Sequence, residues 1–178
     1  MLRRQVLCPL RKPLVVMSPK SLLRHKESTS TLEELSEGTF QVVIGETDEL
    51  NNEAVERVIL CSGKVYYDLR QERRARGIDN IAIIRLEQLY PFPSDDLREA
   101  MKVFENFKEV VWCQEEPMNQ GAWYSSQHHM RRVAEDLKPG VTLSYAGREA
   151  SASPAAGYPA LHLEQLKSFL DQALTLTK

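Results

Sequence analysis

The stretch V-I-L-C-S-G-K-V, residues 58–65, joins an apolar run to a glycine-containing turn and the start of a helical pattern. The run has no polar alternation, which is typical of a strand covered on both faces, as in a parallel sheet. A short apolar segment, Val42–Ile44, predicts an edge strand. Similar runs predict further buried strands at Leu14–Met17, Ile81–Ile84, Val110–Cys113 and Val141–Tyr145.

Helical patterns lie between most of these runs. Lys64–Arg76 is predicted to be a helix that ends at Gly77. A second helix is predicted to follow Ser94 as its N-cap, a third to run from Trp123 to Leu137, and a fourth to begin near Pro159. The positions expected to face inward are Leu97, Ala100, Met101 and Phe104 in the second helix, and Leu163, Leu166, Leu170 and Ala173 in the fourth.

This strand–helix alternation predicts an α/β fold: three layers, with a mostly parallel sheet and helices on both faces. Residues 1–12 are predicted to be an N-terminal tail, or the remnant of a link to upstream domains, and residues 13–178 a single α/β domain. The polar segment Ser18–Leu50 does not follow the strand–helix alternation and is expected to be an irregular segment that contains one short helix. Residues 150–157 are expected to form a loop.

The composition excludes several classes of function. The formal net charge of −2 does not favour binding to nucleic acid or to an anionic membrane. No apolar run approaches the roughly 18 residues of a membrane helix. The three cysteines form no C-x-x-C pair, which argues against a zinc knuckle or a secreted disulfide framework and favours a reducing, cytoplasmic location.

The individual motifs predict no catalytic, cofactor-binding or metal-binding residue. A phosphate loop would need glycine at Val58 and serine or threonine at Val65. His128 and His129 are neighbours on a predicted helix, so their side chains diverge by about 100° and cannot share a metal. Cys113 ends a predicted buried strand, where a thiol usually serves as a small core residue.

Charged side chains cluster at the predicted carboxyl edge of the sheet, where open α/β sheets bind their ligands. Two interpretations remain open: a salt-bridge network that fixes the loops, and a pocket for a phosphorylated effector. The predicted anion rim consists of Lys20, Ser62, Lys64, Arg85 and Arg148, with the carboxylates Glu87, Glu115 and Glu116 beside it.

Five ordered blocks carry a family resemblance across essentially the whole chain. They are M-S-P-K-S-L-L-R-H (17–25), C-S-G-K-V-Y-Y-D-L (61–69), R-L-E-Q-L-Y-P-F-P (85–93), W-C-Q-E-E-P-M-N-Q-G-A-W (112–123) and Y-A-G-R-E-A-S-A-S-P (145–154). Together they resemble the C-terminal region of the E1 component of 2-oxoglutarate dehydrogenase, of the bacterial type. The resemblance implies a fold like the transketolase C-terminal domain.

The family enzyme is an oxidoreductase of the citric acid cycle that uses thiamine diphosphate and Mg²⁺. Its thiamine motif runs from G-D-G to N-N; Asn51-Asn52 is present here, but no G-D-G is. The resemblance therefore implies a structural and regulatory domain without cofactor, inactive alone. Its expected partners are the remaining E1 domains, the E1 homodimer mate and the E2 dihydrolipoyl succinyltransferase, with a nucleotide or acyl-CoA as effector. The alternatives are an independent anion- or nucleotide-binding module and a thiol enzyme that uses Cys113.

Overall fold

A computed structural model describes residues 1–176, which form two compact units, residues 1–41 and residues 42 onwards. The first unit contains helix α1 (Leu2–Leu7), a 3-10 turn (Lys20–Arg24) and helix α2 (Leu32–Ser36). None of its residues is buried. The one short helix expected in the polar segment corresponds to α2. The predicted division into residues 1–12 and 13–178 stays a prediction.

The strand predicted at Leu14–Met17 is wrong. Residues 14–17 pair with no strand, and the side chains of Val15 and Met17 are 79% and 92% exposed. A strand needs a neighbour for its backbone hydrogen bonds, and an apolar run alone does not supply one. Pro13 and Pro19, which flank the run, each lack the amide hydrogen that a ladder would use.

The second unit is built on a five-stranded sheet, and the other predicted strands are confirmed. The strand predicted at Val141–Tyr145 is not buried on both faces, however, because it lies at the edge of the sheet and Thr142 and Ser144 are exposed. The strands are β1 (Val43–Ile44), β2 (Arg57–Cys61), β3 (Ile81–Leu86), β4 (Glu109–Pro117) and β5 (Thr142–Arg148). Their order is β1-β3-β2-β4-β5. Strand β1 pairs antiparallel with β3 at one edge, and the other four strands are parallel.

Helices cover both faces of this sheet, so the three-layer α/β prediction is confirmed. They are α3 (Val65–Ala75), α4 (Ser94–Met101), α5 (Trp123–Leu137) and α6 (Pro159–Leu174). Helices α4 and α5 pack on one face, and α3 and α6 pack on the other. Of the expected inward positions, Leu97, Met101, Phe104, Leu170 and Ala173 are buried, and Ala100 and Leu166 are half-buried.

Three details of the helix predictions are wrong. Phe104, expected in the second helix, is buried but lies beyond the end of α4 at Met101. Ser94 is the first residue of α4 rather than its cap, because Pro93 takes the cap position. The Leu163 side chain is 63% exposed, since the first six residues of α6 are exposed and burial begins only at Gln165. The apolar period of α6 therefore continues beyond the part of the helix that the sheet covers.

Two buried arginines hold segments of the second unit together. Arg57 Nη2 lies 2.6 Å from Glu109 Oε1, which joins the amino ends of β2 and β4. Arg73 of α3 lies 2.5 Å from Glu46 Oε2 and 2.6 Å from Asp48 Oδ2, and so fixes the loop after β1 against the helix. Removing one partner of such a buried pair leaves an uncompensated charge, so both pairs constrain the fold.

The chain order creates a topological switch between β2 and β4. These strands are neighbours, yet β2 leads into α3 on one face of the sheet and β4 leads into α5 on the other. The crevice at their carboxyl ends is where open α/β sheets bind their ligands. The fold therefore places Ser62, Lys64 and Glu115 beside this crevice.

Candidate functional site

Lys64 lies at the switch point, at the start of α3, and two carboxylates compensate its charge. Its Nζ is 2.5 Å from Asp68 Oδ2 and 3.1 Å from Glu115 Oε1. Burial lowers the pKa of Lys64, but the hydrogen bond to Asp68 and the charge of Glu115 outweigh it and raise the pKa above its ordinary value. Lys64 thus stays a cation, with an excess of negative charge around it.

Arg85 is the penultimate residue of β3 and lies against two aromatic rings of α3. Its guanidinium carbon is 4.5 Å from the ring centroid of Tyr66 and 5.6 Å from that of Tyr67. Its Nη1 donates a hydrogen bond to Tyr67 Oη at 3.1 Å, and its Nε is 2.8 Å from Glu87 Oε1. The Nε–Glu87 contact is electrostatic, because Nε has no hydrogen-bond partner. Arg85 is therefore engaged within the rim.

Arg148 ends β5 and differs from the other two cations. Its Nη1 donates to the Pro154 carbonyl at 3.2 Å, while its Nε is buried without a hydrogen-bond partner. Within residues 1–176 it forms no ion pair. The Glu116 carboxylate is exposed and pairs with no cation of that same stretch. Arg148 thus keeps the least compensated charge among the rim residues of the second unit.

Within the second unit, the rim residues form separate contacts rather than one shared cluster. Lys64 is bound to Glu115, Arg85 to Glu87, and Ser62 lies half-buried at the turn before α3. Lys20 belongs to the first unit and follows no strand of the sheet. Strand direction therefore gives no reason to place it with the other rim residues. The contacts favour the salt-bridge interpretation, and the anion site stays a prediction.

The residue that organises the carboxyl edge is Gln114, which the sequence analysis missed. Its Oε1 accepts hydrogen bonds from Trp112 Nε1 at 2.8 Å and from the Trp123 backbone at 3.1 Å. Its Nε2 donates to the carbonyls of Glu116, Pro117 and Gln120. One buried amide therefore fixes the whole turn between β4 and α5. In the sequence, the available signal is that Gln114 lies between two tryptophans, Trp112 two residues before it and Trp123 nine residues after it.

Gly121 makes room for this amide. Its φ is +64°, and a Cβ there would lie 2.9 Å from Gln114 Oε1. The same loop is tied to the loop after β5, because Asn119 Nδ2 and Gln120 Nε2 both donate to the Ser151 carbonyl, at 3.1 and 3.0 Å. The loops after β4 and β5 are thus locked to each other.

The remaining candidates for chemistry lie in unsuitable environments. Cys61 and Cys113 are fully buried, and burial raises the pKa of both thiols, which disfavours a thiolate nucleophile. The ring centroids of His128 and His129 are 4.0 Å apart, and His129 stacks on Phe92 at 4.9 Å. Across residues 1–176, no three His, Cys, Asp or Glu side chains form a group that could hold a metal ion.

The described residues do not fit thiamine diphosphate and Mg²⁺. A diphosphate with Mg²⁺ needs several uncompensated cations or a metal site, yet Lys64 and Arg85 are already paired with carboxylates. Within residues 1–176, Arg148 is the one rim cation of the second unit without an ion pair, and no group of three or more ligands could hold the metal. In the portion of the chain that the structure describes, no helix combines the length and apolarity that crossing a bilayer requires.

Comparison with known proteins places the chain in a family. Residues 29–174 match the family described as 2-oxoglutarate dehydrogenase C-terminal. The 2-oxoglutarate dehydrogenase E1 component of Azotobacter vinelandii is 61% identical over 99% of this chain but only 19% of its own length. That of Haemophilus influenzae is 54% identical over 98% of this chain and 18% of its own length.

Among solved structures, a chain titled "Split gene transketolase, inactive beta4 tetramer" aligns with a TM-score of 0.46 and 17% identity, over 69% of this chain and 40% of that one. The E1 relatives match along nearly all of this chain, which spans less than a fifth of their length. The chain therefore belongs to the 2-oxoglutarate dehydrogenase C-terminal family, as its sequence blocks indicated.

Proposed function

We propose that this chain serves as the C-terminal structural and regulatory domain of a 2-oxoglutarate dehydrogenase E1 component. One observation carries the proposal: an E1 component is 61% identical over 99% of the chain, and the match is confined to 19% of that relative. The parent enzyme would be a succinyl-transferring oxidoreductase of the citric acid cycle. It would hold thiamine diphosphate and Mg²⁺ in the part of the polypeptide that this chain does not match.

The contacts at the carboxyl edge support a structural role. The cations at the ends of β2 and β3 are neutralised locally, and Gln114 fixes the loop that follows β4. A rigid loop surface of this kind suits docking, because little conformational entropy is lost on association. The partners in this proposal are the remaining E1 domains, the E1 homodimer mate and the E2 dihydrolipoyl succinyltransferase, in the cytoplasm.

A regulatory role would rest on the rim. Arg148 is the rim cation of the second unit that lacks an anionic partner among the described residues. A nucleotide or acyl-CoA phosphate would supply one. The same feature is all that favours the second candidate, an independent anion- or nucleotide-binding module.

The test of the main proposal is a chimera. The matching 19% of the Azotobacter vinelandii E1 component is replaced by this chain, and decarboxylation of 2-oxoglutarate is measured with thiamine diphosphate and Mg²⁺. We expect turnover by the chimera and none by the 178-residue chain alone. Turnover by the chain alone would contradict the proposal, as would a folded chimera without activity.

A further inference from the structure

Two buried cysteines lie side by side on neighbouring parallel strands. Cys61 is the last residue of β2, and its register partner on β4 is Cys113. Both side chains are fully buried and belong to the apolar cluster between the sheet and helices α3 and α6, so they leave the same face of the sheet. Aligned positions on neighbouring strands lie about 4.8 Å apart. Two thiols that are far apart in the sequence are therefore neighbours in the core.

The spacing of this pair suits a bridging ion better than a disulfide bond. Both thiols are free. A disulfide needs its Cβ atoms about 3.5–4.5 Å apart, whereas side chains that leave the same face of a parallel ladder keep their Cβ atoms near the strand spacing of about 4.8 Å. Two metal–sulfur bonds of about 2.3 Å, placed end to end, span about 4.6 Å. One ion between the two sulfurs thus matches the distance that the ladder sets.

The residues beside the pair can balance the negative charge of two thiolates. Arg85 is the register partner of Cys61 on β3, and Ala146 is that of Cys113 on β5. Burial raises the pKa of Cys61, and the charge of Arg85 acts in the opposite direction. Helix α3 begins at Val65, just beyond the end of β2, and a helix N-terminus carries partial positive charge. A cation and a helix dipole therefore lie next to the sulfurs.

Two carboxylates oppose this effect, but a lysine compensates both. Burial raises the pKa of Cys113, and the charges of Cys61, Glu115 and Asp68 add to that rise. Lys64 Nζ lies 2.5 Å from Asp68 and 3.1 Å from Glu115, so their negative charge is neutralised locally. The influence of Cys61 on Cys113 also shows that the two sulfur atoms are close enough to interact.

We propose that Cys61 and Cys113 form a two-coordinate site for a soft, thiophilic cation of the Cu⁺ class. Thiolate ligands select Cu⁺ over harder ions, and two ligands in line satisfy this d¹⁰ ion. A four-coordinate Zn²⁺ site would need further ligands, and among residues 1–176 no third His, Cys, Asp or Glu joins the pair. On binding, each thiol releases its proton to solvent and each sulfur donates an electron pair to the ion, whose oxidation state does not change. The inference is independent of the proposed function.

An ion at this position would tie β2 to β4 at the switch point. Cys61 directly precedes the turn that leads into α3, and Cys113 directly precedes Gln114, which fixes the turn before α5. Because the ion binds the folded chain, it should raise the melting temperature by mass action. The sulfurs are sealed from solvent, so loading requires local opening and equilibration should be slow.

The test is an anaerobic Cu⁺ titration of the 178-residue chain, with bicinchoninate as the competing chelator. We expect one Cu⁺ per chain after gel filtration, together with a rise in melting temperature. Cys61→Ala or Cys113→Ala should weaken the affinity at least about 100-fold, because one of two linked ligands is lost. Cys8→Ala, which removes the thiol of the first unit, should bind Cu⁺ like the unaltered chain.

The matched control relocates one thiol. Cys113→Ala combined with Val111→Cys keeps three cysteines on the same faces but moves one of them two residues, about 6.6 Å, along β4. It should bind no better than Cys113→Ala alone. Copper X-ray absorption of the unaltered chain needs no variant and should show two sulfur neighbours. A third ligand, a failure of the folded chain to bind, or equal affinity in Cys113→Ala or in the relocated variant would overturn the inference.

Discussion

Replacing Gln114 with leucine removes the amide that fixes the loop between β4 and α5 while nearly preserving side-chain volume. Five hydrogen bonds disappear, and three of them join fully buried atoms: those from Trp112 Nε1, from the Trp123 amide and to the Pro117 carbonyl. At about 1–1.5 kcal/mol each, the buried bonds contribute about 3–4.5 kcal/mol. The apolar leucine offsets about 1 kcal/mol of this loss. We expect the free energy of unfolding to fall by about 2–3.5 kcal/mol, a large part of the stability of an ordinary domain.

Urea unfolding followed by circular dichroism measures this loss, and Gln71→Leu on the exposed side of α3 is the matched control, with an expected change within about 0.5 kcal/mol. Gln114→Glu gives a second, independent readout. Its carboxylate still accepts from the two N–H groups but faces the carbonyls of Glu116, Pro117 and Gln120 without a proton to donate. It should therefore be less stable at pH 7 than at pH 5. A loss below about 1 kcal/mol for Gln114→Leu would refute the claim that this amide organises the loop.

Three further predictions concern Asp48, Gly121 and the rim cation Arg148. Burial acts to raise the pKa of Asp48, but hydrogen bonds from Arg74, Arg70 and Arg73 hold that pKa far below the ordinary 3.8. The stability that Asp48 contributes is therefore present at neutral pH and is lost as the pH falls below about 4. Asp48→Asn should make the melting temperature less dependent on pH in this acid range, and an unchanged pH profile would contradict this prediction. Gly121→Ala should lower the free energy of unfolding in urea by about 1–3 kcal/mol, because the φ of Gly121 is positive and the added Cβ would meet Gln114. Gly157→Ala, which has open space around it, should change that free energy little, and equal effects of the two substitutions would refute the steric argument. If the rim binds a nucleotide or acyl-CoA, millimolar AMP or acetyl-CoA should raise the melting temperature of the chain. Arg148→Ala should reduce that rise more than Lys64→Ala does, because Lys64 is already paired with carboxylates. If the unaltered chain shows no rise, the predicted anion site is wrong.

The sequence allowed the central strands of the second unit to be predicted because they are covered on both faces. Buried strands such as β2 and β3 must be continuously apolar, and that pattern is visible without a structure. The same pattern failed at Leu14–Met17, where composition gives no information about whether a neighbouring strand exists. Apolar runs predict what a segment prefers to contact, and the pairing itself is a long-range property.

The candidate site was predictable in placement but not in pairing. Strand direction brought Lys64, Arg85 and Arg148 to the carboxyl edge as expected. The pairing of Lys64 with Glu115 joins residues 51 positions apart, and local spacing cannot indicate it. The hydrogen bonds of Gln114 depend on where carbonyls of a turn point, which follows from backbone angles that no residue pattern specifies.

The arrangement around Gln114 also determines which part of the protein the intrinsic tryptophan fluorescence reports on. The chain has two tryptophans, and both are hydrogen-bonded to this one side chain, Trp112 through its indole and Trp123 through its backbone. Both indoles are almost completely shielded from water. Intrinsic fluorescence therefore reports on the turn between β4 and α5 more than on the fold as a whole. Opening of that turn should shift the emission to longer wavelength while the helical signal is still intact, and so reveal local unfolding as a step separate from the global transition.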